Sequence, residues 1–191
     1  MHFLGISGSL RRQSLNTAAL RACAPLLPPG VTMELADISA IPLYNEEIRE
    51  QGLPAAVQTL REKILNADAI IIATPEYNYS IPGVLKNAID WASRPPSQPF
   101  EGKPIALISA SPGGFGGARA QYHLRQVFIY LNGLMLNRPE AMISAAHTKF
   151  DAQGNLTDSA AADQLKALLV ALADWARQVA AGQAATSEGQ P

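Results

Sequence analysis

Three short apolar runs, at residues 3–6, 69–73 and 104–110, are each followed by a loop of small and polar residues. The run 69–73 is nearly all apolar and rich in β-branched side chains, which is typical of a strand buried on both faces of a parallel sheet. Segments with apolar residues at every third or fourth position separate the runs and predict helices. Because parallel strands need crossover connections, this alternation predicts a doubly wound α/β fold with helices on both faces of the sheet.

The rest of the chain completes the pattern. We predict a further strand at residues 32–35 and a last short strand within 135–144, which makes five strands in all. A last segment with apolar residues at helical spacing follows these strands and predicts a C-terminal helix. The sequence therefore predicts one domain over residues 1–181, and it predicts that the polar segment 182–191 is a disordered tail.

Composition excludes several classes of protein. Fifteen Lys and Arg residues against sixteen Asp and Glu residues give the 191-residue chain a net charge of −1, which argues against a nucleic-acid binder and against a polybasic membrane anchor. A single cysteine forms no intramolecular disulfide and no multi-cysteine zinc cluster, and the three histidines lack metal-ligand spacing. With neither a signal-peptide pattern nor an apolar run of transmembrane length, we expect a cytoplasmic protein without a metal site.

The first loop, residues 8–16, combines hydroxyl groups, two arginines and the start of a helix, and it contains no acidic residue. Unpaired N–H groups and the helix dipole favour an anion at such a position. We therefore interpret the loop as a monophosphate site, the alternative being a capped helix start with two solvated arginines. The loop matches neither the GxxxxGK[ST] pattern of nucleoside triphosphatases nor the GxGxxG dinucleotide pattern.

The second loop, residues 74–83, places two tyrosines, an amide and an acid between two prolines, which stiffen the segment. A planar heteroaromatic ring needs a stacking surface and hydrogen bonds at its edge. Tyr77, Asn78 and the amides of the loop supply both. An unliganded turn explains these residues equally well in isolation, but their place after a central strand favours a ligand site.

The third loop, residues 111–117, contains four glycines. Glycine lets a backbone approach a flat ligand closely. A flexible linker is the alternative, but a linker between a strand and a helix in mid-domain is unusual. The position at a strand end therefore favours a ligand-binding wall.

Several segments carry a resemblance to a known family. They are residues 75–91, residues 8–11 with Ser14 and Asn16, and residues 116–119 with 121–125. On these segments the chain resembles the NADPH-dependent FMN reductase family of flavodoxin-like proteins and, more closely, its chromate/quinone reductase branch. The resemblance implies a five-stranded flavodoxin-like parallel sheet in the order 2-1-3-4-5.

The resemblance also implies bound FMN and a ping-pong reaction, in which NADPH or NADH reduces the flavin and a quinone then takes the electrons. The residues implied for the phosphate end, with the amides around them, are Ser9, Arg11, Ser14, Leu15 and Asn16. The residues implied for the ring are Pro75, Glu76, Tyr77, Asn78, Ser111 and Gly114. The flavin performs this chemistry, so we name no catalytic side chain. For Glu76 we favour a structural role, or a hydrogen bond to an adjacent subunit, over proton transfer.

Members of this family are usually dimers or tetramers, so the resemblance implies a homo-oligomer. The helix at residues 118–131 has a second face that is too aromatic for a plain solvent-exposed surface. We hypothesise a polar network at a subunit interface. Its members are Tyr79, Arg119, Tyr122 and Glu140.

The sequence leaves two other functions open. A flavodoxin-type electron carrier usually has an acidic surface, which a net charge of −1 does not supply. A flavin-binding regulator with little turnover is the second alternative. Chromate, azo compounds and nitroaromatics are further candidate acceptors, and the choice between NADPH and NADH stays open.

Overall fold

One parallel sheet runs through the part of the chain that the computed structural model describes, residues 1–188, with side chains to residue 185. Its strands are, in chain order, β1 (His2–Ser7), β2 (Thr32–Ala36), β3 (Ala69–Ala73), β4 (Pro104–Ala110), β5 (Leu134–Met135) and β6 (Ala141–Ile143). The order across the sheet is β2-β1-β3-β4-β5, and neighbouring strands are parallel. This order confirms the predicted doubly wound, flavodoxin-like fold.

The fifth position of the sheet differs from the prediction of one short strand within residues 135–144. Strand β5 pairs with the start of β4, whereas β6 pairs with its end, from Ile108 to Ala110. The chain leaves the sheet between them, at residues 136–140. Pro139 lies in this gap and has no N–H group for a ladder hydrogen bond, so it interrupts the strand.

Six α-helices connect and flank the strands within the described residues. They are α1 (Leu15–Cys23), α2 (Glu46–Glu50), α3 (Ala55–Asn66), α4 (Gly83–Ala92), α5 (Ala118–Tyr130) and α6 (Ser159–Glu188). Helices α1 and α6 cover one face of the sheet, while α3, α4 and α5 cover the other. The sequence did not predict α2, which begins in a polar loop where Asn45 Oδ1 accepts the N–H of Glu47.

Strand β3 shows how an apolar run becomes the centre of the core. All five of its residues are fully buried. Ile70 and Ile72 contact the cluster beneath α3, α4 and α5, whereas Ile71 contacts the cluster beneath α1 and α6, because successive side chains of a strand alternate. Burying one such side chain stabilises the fold by about 1.5–3 kcal/mol, so both layers of helices are held to the central strands.

The C-terminal helix extends further than the sequence predicts. Residues 182–188 continue α6, although a disordered tail was expected from residue 182. Alanines at positions 180, 181, 184 and 185 favour a helix, and Gln183 Nε2 lies 3.4 Å from the carbonyl oxygen of Gly102, which it donates to. Residues 189–191 of the predicted tail lie outside the described residues.

Candidate functional site

The first, second and third loops meet at one edge of the sheet, because they follow the carboxyl ends of three neighbouring strands, β1, β3 and β4. Hydrogen bonds continue the strand pairing into the loops. The N–H of Gly8 donates to Ala73 O at 2.8 Å, and the N–H of Thr74 donates to Ile108 O at 2.9 Å. The loops therefore begin from fixed positions on the sheet.

The first loop ends in a helix start with unused donors. Ser14 Oγ accepts the N–H of Thr17 at 3.2 Å and so caps α1. The first backbone N–H groups of an α-helix have no carbonyl partner within the helix, and those of Leu15 and Asn16 remain available to a ligand. The partial positive charge of the helix terminus favours an anion at this position.

The side chain of Asn16 has a structural partner. Its Nδ2 donates to Ala110 O and its Oδ1 accepts the N–H of Ala110, both at 2.9 Å. The residue is only 3% exposed. Its amide therefore joins α1 to the end of β4, and only its backbone N–H is left for the phosphate site implied by the sequence.

Two clefts flank the first loop. Arg11, Ser14 and Leu15 line a cleft of about 550 Å³ at the start of α1. Ser9 and Arg11 line a second cleft, of about 360 Å³, between the carboxyl ends of β1 and β2. The residues implied for the phosphate are thus brought together around one helix terminus. Arg11, Arg12 and Arg21 border both clefts.

The second loop closes in a tight turn. The N–H of Tyr77 donates to Ser80 O at 3.0 Å, and the N–H of Ser80 donates back to Tyr77 O at 2.9 Å. The two residues between them, Asn78 and Tyr79, have φ of 51° and 66°. Positive φ at both central positions defines a type I′ turn, and it is uncommon for a residue as bulky as tyrosine.

Glu76 anchors the second loop to α5. Its Oε2 accepts the backbone N–H groups of Arg119 and Ala120 at 3.1 and 3.3 Å, and its Oε1 accepts from Arg119 Nη1 at 2.9 Å. Gly117, at the N-cap of α5, has no side chain to cap the helix. The Glu76 carboxylate takes that place, which favours the structural role over proton transfer.

His123 makes a second connection between the loop and α5. Its Nδ1 lies 2.8 Å from Ser80 Oγ. The sequence analysis found no metal-ligand spacing among the three histidines and gave His123 no role. Its place four residues after Arg119, on the same side of a helix, is the signal that could have identified it.

The glycines of the third loop divide into two pairs with different roles. Gly116 and Gly117 have φ of 59° and 87°. A Cβ at Gly117 would lie 2.7 Å from Ser109 Cβ, and one at Gly116 would lie 3.0 Å from the backbone of Met142. The fold itself therefore requires glycine at both positions.

Gly113 and Gly114 instead border open space. A Cβ at Gly114 would meet nothing within 4 Å, and one at Gly113 would meet only Ser111 Oγ, at 3.6 Å. Ser111 is fixed because its N–H donates to Ile143 O and its carbonyl accepts the N–H of Ala146. The backbone of Gly113 and Gly114 is therefore not covered by side chains, and the hydrogen bonds of Ser111 hold the start of this loop in place.

The predicted interface residues lie together, Arg119 and Tyr122 on α5, Tyr79 in the second loop and Glu140 before β6. The Arg119 guanidinium lies over the rings of Tyr79 and Phe115, with its Cζ at 4.0 and 4.3 Å from their centroids. One helical turn further, Tyr122 Oη donates to Glu140 Oε2 at 3.4 Å, and the Glu140 carboxylate raises the pKa of this phenol. We call this set, with Phe115 included, the α5 surface.

Within the described residues, the cysteine thiol and the potential metal ligands form no further site at this edge of the sheet. Burial raises the pKa of the Cys23 thiol to about 12. Among the side chains of residues 1–185, no three His, Cys, Asp or Glu groups are arranged to hold a metal ion. None of the helices described is both long and apolar enough to span a membrane.

A cavity of about 670 Å³ lies at the opposite edge of the sheet, around Lys103, far from the three loops.

Comparison with known proteins identifies the family. The family model for NADPH-dependent FMN reductases matches residues 1–148. An NAD(P)H-dependent FMN reductase of Pseudomonas aeruginosa is 59% identical over 176 residues, which cover 92% of this chain and 95% of that protein. A quinone reductase of Escherichia coli K12 is 43% identical over 175 residues, which cover 90% and 93%.

A solved structure agrees with these relatives. The flavoenzyme NAD(P)H:(acceptor) oxidoreductase FerB from Paracoccus denitrificans superposes with a TM-score of 0.84 at 36% identity. The match covers 93% of this chain and 97% of the FerB chain. The chain therefore belongs to the NADPH-dependent FMN reductase family of flavin-dependent oxidoreductases.

Proposed function

We propose that this protein holds FMN across the three loops and uses it to carry electrons from NAD(P)H to quinones. The observation that supports this proposal best is the meeting of an anion site with a bare glycine backbone. The anion site is the start of α1 with Arg11, and the bare backbone is that of Gly113 and Gly114. One site favours a phosphate and the other favours a flat ring, which are the two ends of FMN.

At the phosphate end, the backbone N–H groups of Leu15 and Asn16 and the Ser9 and Ser14 hydroxyls are the proposed donors. Arg11 supplies a full positive charge. It is exposed and has no ion pair within the described residues. Hydrogen bonds from charged donors to phosphate are stronger than neutral ones, so Arg11 adds the most to retention of the cofactor.

At the ring end, the second loop supplies Pro75, Tyr77 and Asn78, and the third supplies Ser111 and Gly114. Glu76 contributes by holding the second loop against α5, since its carboxylate is occupied by Arg119 and Ala120. These residues orient and shield the ring. When bound, FMN itself accepts the hydride and releases the electrons, so we assign no catalytic side chain.

Quinones are the proposed acceptors because relatives that align along most of this chain carry that activity in their names. The quinone reductase of E. coli is one of them. Reduced flavin is a donor of low selectivity, so chromate, azo compounds and nitroaromatics are proposed as secondary acceptors only.

An anaerobic visible spectrum tests this proposal. We expect the purified protein to show the bands of oxidised flavin, NADPH to bleach them, and a quinone to restore them. Flavin bands that NADPH leaves unchanged would favour an electron carrier or a regulator. A protein that shows no flavin bands and takes up no added FMN would overturn the proposal.

We propose that the protein is a homodimer or homotetramer and that the α5 surface lies at a subunit interface. Tyr79 and Phe115 are 70% and 67% exposed and both contact the Arg119 guanidinium, so they form one exposed apolar patch, as interaction sites do. Light scattering tests this. The variants Arg119→Ala and Tyr122→Ala should lower the assembly state, whereas Arg177→Ala on α6 should not. An unchanged mass for both α5 variants would contradict this assignment.

A cytoplasmic location is part of the same proposal. Fractionation of cells that produce the protein tests the location, and recovery outside the cytoplasm would contradict it.

A further inference from the structure

The cleft between the carboxyl ends of β1 and β2 shares Ser9 and Arg11 with the proposed FMN site, but its other polar residues are not used there. Its volume is about 360 Å³. Side chains from the first loop and α1 form one wall, and residues after β2 form the other. Arginines 11, 12 and 21 line it, together with the hydroxyl-bearing residues Ser7, Ser9, Thr17 and Ser39.

The charge of this cleft is positive. Arg11 is assigned to the flavin phosphate, and the two other arginines, with Asp37, leave a net charge of +1 on the rest of the lining. Arg12 and Arg21 are exposed, and neither has an ion pair among the side chains described, residues 1–185. Asp37 accepts the N–H of Ser39 at 2.8 Å, and this hydrogen bond lowers the pKa of its carboxyl. Unpaired guanidinium groups beside a cleft with several hydroxyls favour a phosphate-bearing ligand.

The position of the cleft narrows the choice of ligand. Adjacent strands of a sheet lie about 4.8 Å apart, so the β1–β2 cleft is two strand spacings from the gap between β3 and β4, where the ring site lies. Ligands of doubly wound folds bind along this edge. A dinucleotide is long enough to reach from one place to the other, whereas the phosphate of FMN is already accommodated at the start of α1.

We propose that the β1–β2 cleft binds the phosphate-bearing adenosine ribose of NADPH, with Arg12 and Arg21 as ligands of its 2′-phosphate. This inference rests on the proposed function, and it goes beyond it by assigning a donor preference to two residues. NADH carries a hydroxyl in place of this phosphate. The planar guanidinium groups pair well with a phosphate dianion and gain little from a hydroxyl, so the protein prefers NADPH.

Steady-state kinetics with both nucleotides test the assignment. In Arg12→Gln and Arg21→Gln we expect the KM for NADPH to rise about tenfold, as for the loss of one charged hydrogen bond to a phosphate. The KM for NADH should change less than twofold. Arg177→Gln, which removes an arginine at the opposite edge of the sheet, is the matched control and should leave both constants unchanged.

Equilibrium binding provides a readout that does not depend on turnover. Calorimetric titration of the protein as purified should show that 2′-AMP binds more tightly than 5′-AMP or inorganic phosphate. Arg12→Gln and Arg21→Gln should weaken 2′-AMP alone, while the affinity for FMN stays the same. A parallel loss of FMN affinity would assign these arginines to the flavin phosphate instead and overturn the inference.

The outcomes separate this inference from the proposed function. Equal effects of the variants on NADPH and NADH, or equal binding of 2′-AMP and 5′-AMP, would overturn the assignment while the flavin proposal stands. Failure to bind FMN would overturn the proposed function, and the 2′-AMP titration would still decide whether the cleft recognises a ribose phosphate.

Discussion

The carboxylate of Glu76 accepts hydrogen bonds from both the side chain and the backbone N–H of Arg119, 43 residues further along the chain. One acidic side chain thus caps α5, neutralises the arginine and fixes the second loop next to the third. The same guanidinium stacks on Tyr79 in the turn of that loop. The shape of the proposed ring site therefore depends on a pair of residues that need not touch the ring.

Replacing Glu76 tests this dependence. Glu76→Ala should lower the free energy of unfolding by about 1–2 kcal/mol, because it removes the cap of α5 and leaves two backbone N–H groups without their acceptor. FMN affinity should fall as well, since the second loop loses its anchor. Urea denaturation and FMN titration measure the two effects. Glu62→Ala, an exposed glutamate on α3, should change neither, and unchanged flavin affinity in Glu76→Ala would contradict the positioning role.

Asn16→Ala should be among the most destabilising single changes in the first loop. The substitution leaves the N–H and the carbonyl of Ala110 without the partners that Asn16 supplies in the core. Burying two such unpaired groups costs about 2–3 kcal/mol. Chemical denaturation measures the loss. Asn155→Ala, which breaks an exposed hydrogen bond to Asp151, should cost less than 0.5 kcal/mol by the usual size of surface effects, and a similar loss in both variants would refute the argument.

The two pairs of glycines in the third loop should respond differently to alanine. Gly117→Ala forces a Cβ against Ser109 at a φ of 87°, so we expect a loss of stability of at least about 2 kcal/mol. Gly114→Ala meets no protein atom, and its stability should be unchanged, but the new methyl group fills space that we assign to the flavin. A Gly114→Ala variant that binds FMN as tightly as the wild type would place the ring elsewhere.

Cys23 should make the protein less stable at alkaline pH. The folded protein keeps the thiol protonated up to about pH 12, whereas an unfolded chain loses this proton near pH 9. Between these values the unfolded state binds fewer protons, so stability falls as pH rises, by about 1.4 kcal/mol per pH unit. Urea denaturation at pH 8, 9 and 10 measures the slope. The Cys23→Ala variant should lack this component, and identical slopes in the two proteins would contradict the prediction.

Local patterns in the sequence determined the layers of the fold and the location of the site. The apolar runs at 69–73 and 104–110 are buried strands because alternating side chains face two hydrophobic clusters. Loops that follow neighbouring parallel strands must meet at one edge, so the sequence pattern alone places the first, second and third loops together. The family, too, could be recognised from residues in these loops and in the helices that follow them.

Only the tertiary structure decided which atoms in those loops remain free for a ligand. Asn16 was expected at the phosphate, but its side-chain amide pairs with Ala110, 94 residues away. His123 had no assigned role, yet its ring lies against Ser80. Hydrogen-bond partners so distant in sequence follow from how helices pack on the sheet, and periodicity does not specify them. The chain thus encodes its fold in local patterns, while the available donors of its site are set by long-range contacts.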